Sequence, residues 1–148
     1  MNLEQFREYC LRKSGVTEGT PFGEDVLVFK VGGKMFALAA LDEIPATANL
    51  KCDPDLALEL RDRYEQVRPG YHMNKKHWNT VELGGEIPEP DLRKMVDHSY
   101  ELVVNSLPKS HALKISAATD GELRAAGLGQ SQASRPRARH AKNYRARQ

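Results

Sequence analysis

The sequence predicts an α+β fold, a two-layer sandwich of helices on an antiparallel sheet in the order α-β-β-β-α-β-β-α, and three observations predict it. Two β-rich runs, Val26 to Val31 and Lys34 to Leu41, flank Gly32-Gly33, the pair that a tight hairpin with positive φ requires. Helical spacing governs Leu3, Phe6, Tyr9 and Cys10, and again Leu92, Met95, Val96, Ser99, Val103 and Leu107. Between these, Asp53-Pro54 is an N-cap with proline at the first helical position, the start of a middle helix.

Taken in order, Asn2 caps a first helix from Leu3 to Lys13, which Gly15 ends. Thr17 to Asp25, broken by glycine and proline, reads as a loop. After the hairpin and Asp42-Glu43-Ile44-Pro45, Ala46 to Lys51 is a third strand. The second helix buries Leu56, Leu60 and Tyr64 and ends before Pro69. Gly70 to Asn74 reads as a short strand. His77 to Leu83 is a longer one, with Trp78, Thr80 and Glu82 on one side and Asn79, Val81 and Leu83 on the other. Gly84-Gly85 closes it, Pro88-Glu89-Pro90 opens the last helix, and Pro108 stops that helix. Glu89 and Asp91 in its first turn and Lys109 just past its last match the helix dipole.

At 148 residues, 40% hydrophobic and 28% charged, the chain suits one globular domain with an extension. The expected domain covers residues 1–111, and residues 112–148 form a basic tail expected to be disordered. Residues 1–112 hold 14 Lys/Arg against 18 Asp/Glu, whereas residues 113–148 hold 8 against 2. Arg135, Arg137, Arg139, Lys142, Arg145 and Arg147 lie in the tail with no acidic residue after Ser134, a pattern that serves either nonspecific nucleic-acid contact or solubility. No apolar run approaches the ~20 residues of a membrane span, and no signal peptide is visible, so the expected address is the cytoplasm without a membrane partner. Cys10 and Cys52 read as buried free thiols.

The densest chemistry lies between Arg68 and Leu83, which holds the only tryptophan, His72, His77 and the Lys75-Lys76 pair. Two readings stand beside each other. In one, Arg68, Lys75 and Lys76 reach phosphates, Asn74 or Asn79 bonds to backbone or base edges, and Trp78 packs beneath or stacks. In the other, Trp78 anchors a core while Asn74 and the histidines tie down a turn. His72, His77, His98 and His111 lack a carboxylate or cysteine at ligand spacing, so no metal or other cofactor is expected. No nucleophile pairs with His72, so no catalytic residue is assigned.

The segment from Arg68-Pro69-Gly70-Tyr71-His72-Met73-Asn74 through Lys75-Lys76-His77-Trp78-Asn79-Thr80-Val81 resembles the MmcQ/YjbR family. Phe6, Tyr9-Cys10, Lys51, Pro54-Asp55-Leu56-Ala57, Leu92, Val96-Asp97, Ser99-Tyr100, Val103 and Leu107-Pro108 extend the likeness over roughly residues 2 to 110. The resemblance implies a compact α+β domain and a DNA-binding protein with a double-wing motif, rather than an enzyme. The hairpin Val26 to Leu41 and the segment Arg68 to Val81 would be its wings. The DNA-contacting residues are then Arg68, Asn74, Lys75, Lys76, Trp78 and Asn79, with the six tail cations adding grip. Two rivals are a protein-interaction adaptor, binding a partner or itself through a sheet face as in the similar topology of secretion chaperones, and a small-ligand binder using the His72, His77 and Trp78 region.

Overall fold

The computed structural model describes residues 1–108. Helix α1 (Leu3–Leu11) starts at a reciprocal cap: Asn2 Oδ1 accepts from the Gln5 amide at 2.8 Å, and Gln5 Oε1 accepts from the Asn2 amide at 2.9 Å. It stops at Leu11, short of the expected Lys13, whose amide bonds to the Cys10 carbonyl three residues back and whose side chain pairs with Asp97 of the last helix. Strand β1 (Val16–Gly19) then occupies part of the stretch that reads as a loop. It is an edge strand whose side chains from Thr17 onward are exposed, so its ladder to the next strand is a backbone property that no apolar alternation announces.

Strands β2 (Val26–Val31) and β3 (Lys34–Ala40) form the expected hairpin, with Gly32 and Gly33 at φ 58° and 79°. The register slips between Phe29 and Lys30, so Phe36 is an extra residue in β3. This bulge sends both Phe36 and Ala37 toward the helices, where Phe36 meets Tyr100 edge-on at 5.4 Å. It also frees the Phe36 carbonyl to accept from Ser99 Oγ at 2.5 Å, and Ser99 accepts in turn from the Lys51 amide at 2.9 Å. One buried hydroxyl thus ties the last helix to two strands.

Strand β4 (Thr47–Lys51) leads to α2 (Pro54–Arg63). Asp53 occupies the cap position without a side-chain cap bond, while its own amide donates to His98 Nε2 at 3.1 Å. The next strand, β5 (Val67–Pro69), precedes the expected Gly70 to Asn74 segment, which folds into turns instead. Pro69 can end this strand because β5 is a sheet edge, where a missing N–H costs no ladder bond. Strand β6 (Trp78–Glu82) and helix α3 (Glu89–Ser106) complete the described residues. The six strands run β1-β2-β3-β4-β6-β5, every pair antiparallel, so the α+β class stands with one strand more than expected.

The three helices among the described residues lie on one face. Phe6, Phe29, Phe36, Leu50, Leu56, Val81, Leu92, Val96 and Val103 fill the layer between. The opposite face carries a smaller apolar cluster of Val28, Leu38 and Trp78, flanked by Val26, Met35 and Met73. The β2–β3 turn does not project freely: a Cβ on Gly32 would lie 2.5 Å from Leu107 Cδ1. The tail cations Arg135 to Arg147, and the 111/112 boundary, lie outside the described residues. No helix among the described residues is long and apolar enough to cross a membrane.

Phe36 is fully buried at the bulge, so Phe36→Ala is expected to lower unfolding free energy by about 3–5 kcal/mol in urea titration.

Candidate functional site

Residues 70–77 form a compact turn that is bolted to the sheet from two sides. The Gly70 amide donates to the Trp78 carbonyl at 2.9 Å. A Cβ at Gly70 would sit 2.8 Å from Trp78 Cβ and 2.9 Å from its carbonyl oxygen, an approach that only glycine allows. Asn74 Oδ1 accepts from the Lys76 amide at 3.0 Å and its carbonyl accepts from the His77 amide at 3.1 Å, closing an Asx turn.

On the open face, Thr80 Oγ1 accepts from the Tyr71 amide at 2.9 Å and donates to Asn49 Oδ1 at 2.5 Å. Asn49 Nδ2 donates to the Tyr71 carbonyl at 3.2 Å. Both peptide groups of Tyr71 are thereby fastened, and His72 follows at φ 59°, a left-handed conformation that costs a non-glycine residue about 1–2 kcal/mol. Its ring lies 4.0 Å from that of Tyr71, centroid to centroid.

From the helix side, Arg61 of α2 reaches the same turn. Its Nε donates to Asn79 Oδ1 at 2.7 Å, and its Nη2 donates to the carbonyls of Trp78, at 3.3 Å, and Lys75. Asn79 Nδ2 donates to the Ala57 carbonyl at 3.4 Å, and the Cys52 amide donates to the His77 carbonyl at 2.7 Å. Neither Arg61 nor Asn49 stands out in the sequence, because each acts on residues that are distant along the chain.

The residues expected to contact DNA fall into separate places. Asn79 is buried against α2 and Trp78 lies beneath the opposite face, so both side chains support the turn. Asn74, Lys75 and Lys76 are at its tip, all three exposed. Arg68 is exposed too, but it pairs with Thr80 on β6 and so stands over the open face, 3.7 Å from Glu82. His72 lines that face, while the His77 carbonyl accepts from the Cys52 amide at the β4–α2 junction. Among the described residues no group of three or more His, Cys, Asp and Glu could hold a metal ion.

The register sorts charge by strand end. Lys51 pairs with Trp78, so Lys51, Lys75 and Lys76 lie at one end of the sheet, and Lys34 lies there at the hairpin turn. Ala40 pairs with Val26 and Thr47, and Thr47 with Glu82, so Glu24, Asp25, Asp42, Glu43 and Glu82 gather at the other. The two strand ends thus differ in charge, with Asp53 and the exposed Asp55 following Lys51 as the acids near the basic end.

Sequence reasoning missed a groove of about 710 Å³ on the open face. Val26, Met35, Leu38 and Ala40 make an apolar floor, Thr47, Asn49 and Thr80 a polar centre, and Tyr71, His72 and Met73 one wall. Arg68 stands on one rim, Phe22, Asp42 and Glu43 on the other. The signal was present: Val26 to Val31 and Met35 to Ala40 hold few polar residues at alternate positions, the mark of strands covered on both faces.

Neither cysteine supplies a nucleophile to the groove. Both are buried, and burial above all pushes each thiol up to about 12, so the unreactive neutral form prevails at neutral pH.

Removing Arg61 leaves the Asn79 and turn carbonyl oxygens without their donor. Arg61→Met is expected to cost about 1–3 kcal/mol and to speed hydrogen exchange at the Lys76 and His77 amides. Gly70→Ala, which must push Trp78 aside, is expected to cost a similar 1–3 kcal/mol, roughly, by urea titration. For the thiols, folding favours the protonated state, so their stabilising effect is full below the ordinary value of 9.0 and fades as pH rises toward about 12. Urea midpoints should fall over that alkaline range, and less steeply in a Cys10→Ala/Cys52→Ala variant.

With this geometry in place, comparison with known proteins is specific. The family model YjbR matches residues 11–102. The chain is 48% identical to YbdF of Escherichia coli O157:H7 over 90 residues, 60% of this chain and 73% of that protein. It is 35% identical to YjbR of Escherichia coli K12 over 109 residues, 74% of this chain and 92% of that one. Among solved structures, Deinococcus radiodurans DR2400, with a DUF419 domain, superposes with a TM-score of 0.73 at 32% identity, covering 87% of this chain and 90% of that one. A Pseudomonas syringae protein superposes at 0.62 with 29% identity, covering 70% and 99%. A family match across most of the folded region and a shared α+β architecture lead to one conclusion: the chain belongs to the YjbR family.

Proposed function

We propose that this chain is a non-enzymatic DNA-binding protein of the cytoplasm that grips duplex phosphates with the basic end of its sheet. The observation that carries this reading is the placement of Lys75 and Lys76. They are exposed at the tip of a turn held by Arg61, Asn49, Thr80 and Gly70, with Lys34 and Lys51 at the same end. The tethered backbone of the turn loses little further freedom on binding, and each phosphate the lysines neutralise releases counterions. Residues 1–108 hold 13 Lys/Arg against 18 Asp/Glu, which would repel DNA if the charges were mixed. Their segregation leaves a local patch of the right sign. The six tail cations add sequence-independent attraction.

In this reading Arg68 does not join the grip, because it stands over the open face beside Glu82. Asn74 meets a phosphate or base edge at the turn's tip, whereas Trp78 and Asn79 act by holding that tip in place. The inert thiols fit a binding protein better than one with covalent chemistry.

Anisotropy of a labelled duplex titrated with the full chain tests the proposal across a range of salt concentrations. Lys75→Glu/Lys76→Glu is expected to weaken binding and to flatten the salt slope by about 2, one unit for each phosphate no longer neutralised. A tail variant with Arg135, Arg137 and Arg139 changed to Gln should lose affinity independently. If the double-lysine variant binds as the parent does and only the tail variant weakens, the basic end is not the interface. A full chain that binds no duplex even at low salt would end the proposal.

A further inference from the structure

The groove on the open face is remote in character from the basic end: its unpaired charges are acidic and its floor is apolar. We propose that it is a binding site for a small organic cation with an apolar body, an aryl- or alkylamine in chemical class. The volume, about 710 Å³, lies within the range of about 300–1,000 Å³ that small-molecule sites occupy. Met35 and Leu38 offer apolar floor, and Trp78 packs in the same cluster.

The sign of the preferred charge follows from the rims. Arg68 has Glu82 at 3.7 Å, so its charge is partly answered from within the sheet. Asp42 and Glu43 are exposed and make no ion pair among the described residues. The rim opposite Arg68 therefore presents two carboxylates with no ion-pair partner among the described residues. Two aromatic side chains also border it, Tyr71 and Phe22, each 63% exposed. An ammonium group in the groove would be drawn to the carboxylates by Coulomb force and to a bordering ring face by its quadrupole. An anion would meet the opposite field. The tethers from Thr80 and Asn49 to Tyr71 hold that ring's backbone in position before any ligand arrives.

The test uses three probes of one shape: phenethylamine, phenylethanol and phenylacetate, titrated into the isotope-labelled full chain and followed by amide NMR and Trp78 fluorescence. Saturable shifts at Leu38, Thr47, Tyr71 and Thr80 are expected with the amine, which should bind at least about tenfold more tightly than the carboxylate. Asp42→Asn/Glu43→Gln, exposed changes that leave the core intact, should shrink that preference to less than about threefold while the alcohol binds as before. Equal or tighter binding of phenylacetate, or no saturable shift with the amine over the millimolar range, overturns the proposal. So does a groove whose amides shift with chain concentration alone while the mass doubles, since a second copy would then be the occupant. Because the readouts lie at the groove, their result is separable from the loss or retention of DNA binding.

Discussion

Six strands have two faces, and the three helices among the described residues cover only one of them. Most of what is distinctive here follows from that constraint. Apolar side chains on the second face must be shielded by something, and the 70–77 turn does part of that work by folding back over Trp78 and Leu38 with Met73. It can stay there only because its backbone polar groups find partners on the sheet. Asn49 and Thr80 supply those partners, since a turn laid on an apolar surface would otherwise leave donors and acceptors unmet.

The covered face is secured differently. Its aromatic contacts, Phe6 on Phe29 at 6.0 Å and Phe36 on Tyr100 at 5.4 Å, give bulk packing without fixing a register. The bulge at Phe36 and the hydroxyl of Ser99 add the register, because one oxygen must serve two strands at once. Lys13 adds a further lock. Its ammonium is paired with Asp97 and lies over the rings of Tyr9 and Tyr100, so a charge that would be costly alone is answered on each side.

The turn joins two surfaces of opposite character. Its first half, Tyr71 to Met73, walls a groove whose rim is acidic, and its second half, Asn74 to Lys76, carries exposed cations to the basic end. Arg61 fastens the second half, bonding to carbonyls at Lys75 and Trp78 and to the side chain of Asn79, while Asn49 and Thr80 fasten the first. A short segment rich in polar and aromatic residues is thus mainly structural at its centre and available for binding at its margins.

The glycine pair, the helical spacings of Phe6 and Val96 and the proline-led helix starts settle the class and most element positions, because propensity, caps and turns depend on neighbours in the chain. Strand β1 leaves no such mark, since its side chains from Thr17 onward are exposed and it is held by its ladder to β2, by Val16 on the core and by the Arg7–Glu18 pair, which involves a residue distant in the chain. The short strand lies a few residues before its expected place because Gly70 to Asn74 has turn chemistry that only the contact with Trp78 reveals. Lys75 and Lys76 are legible as exposed cations, whereas the burial of Asn79 and the isolation of Arg68 are not. By itself the sequence determined which residues could form helices, turns and charged patches, all short-range matters. Which face stayed open, which end became basic and where a groove formed were decided by strand order and register, which bring Asn49, Arg61, Tyr71 and Thr80 together from separate elements.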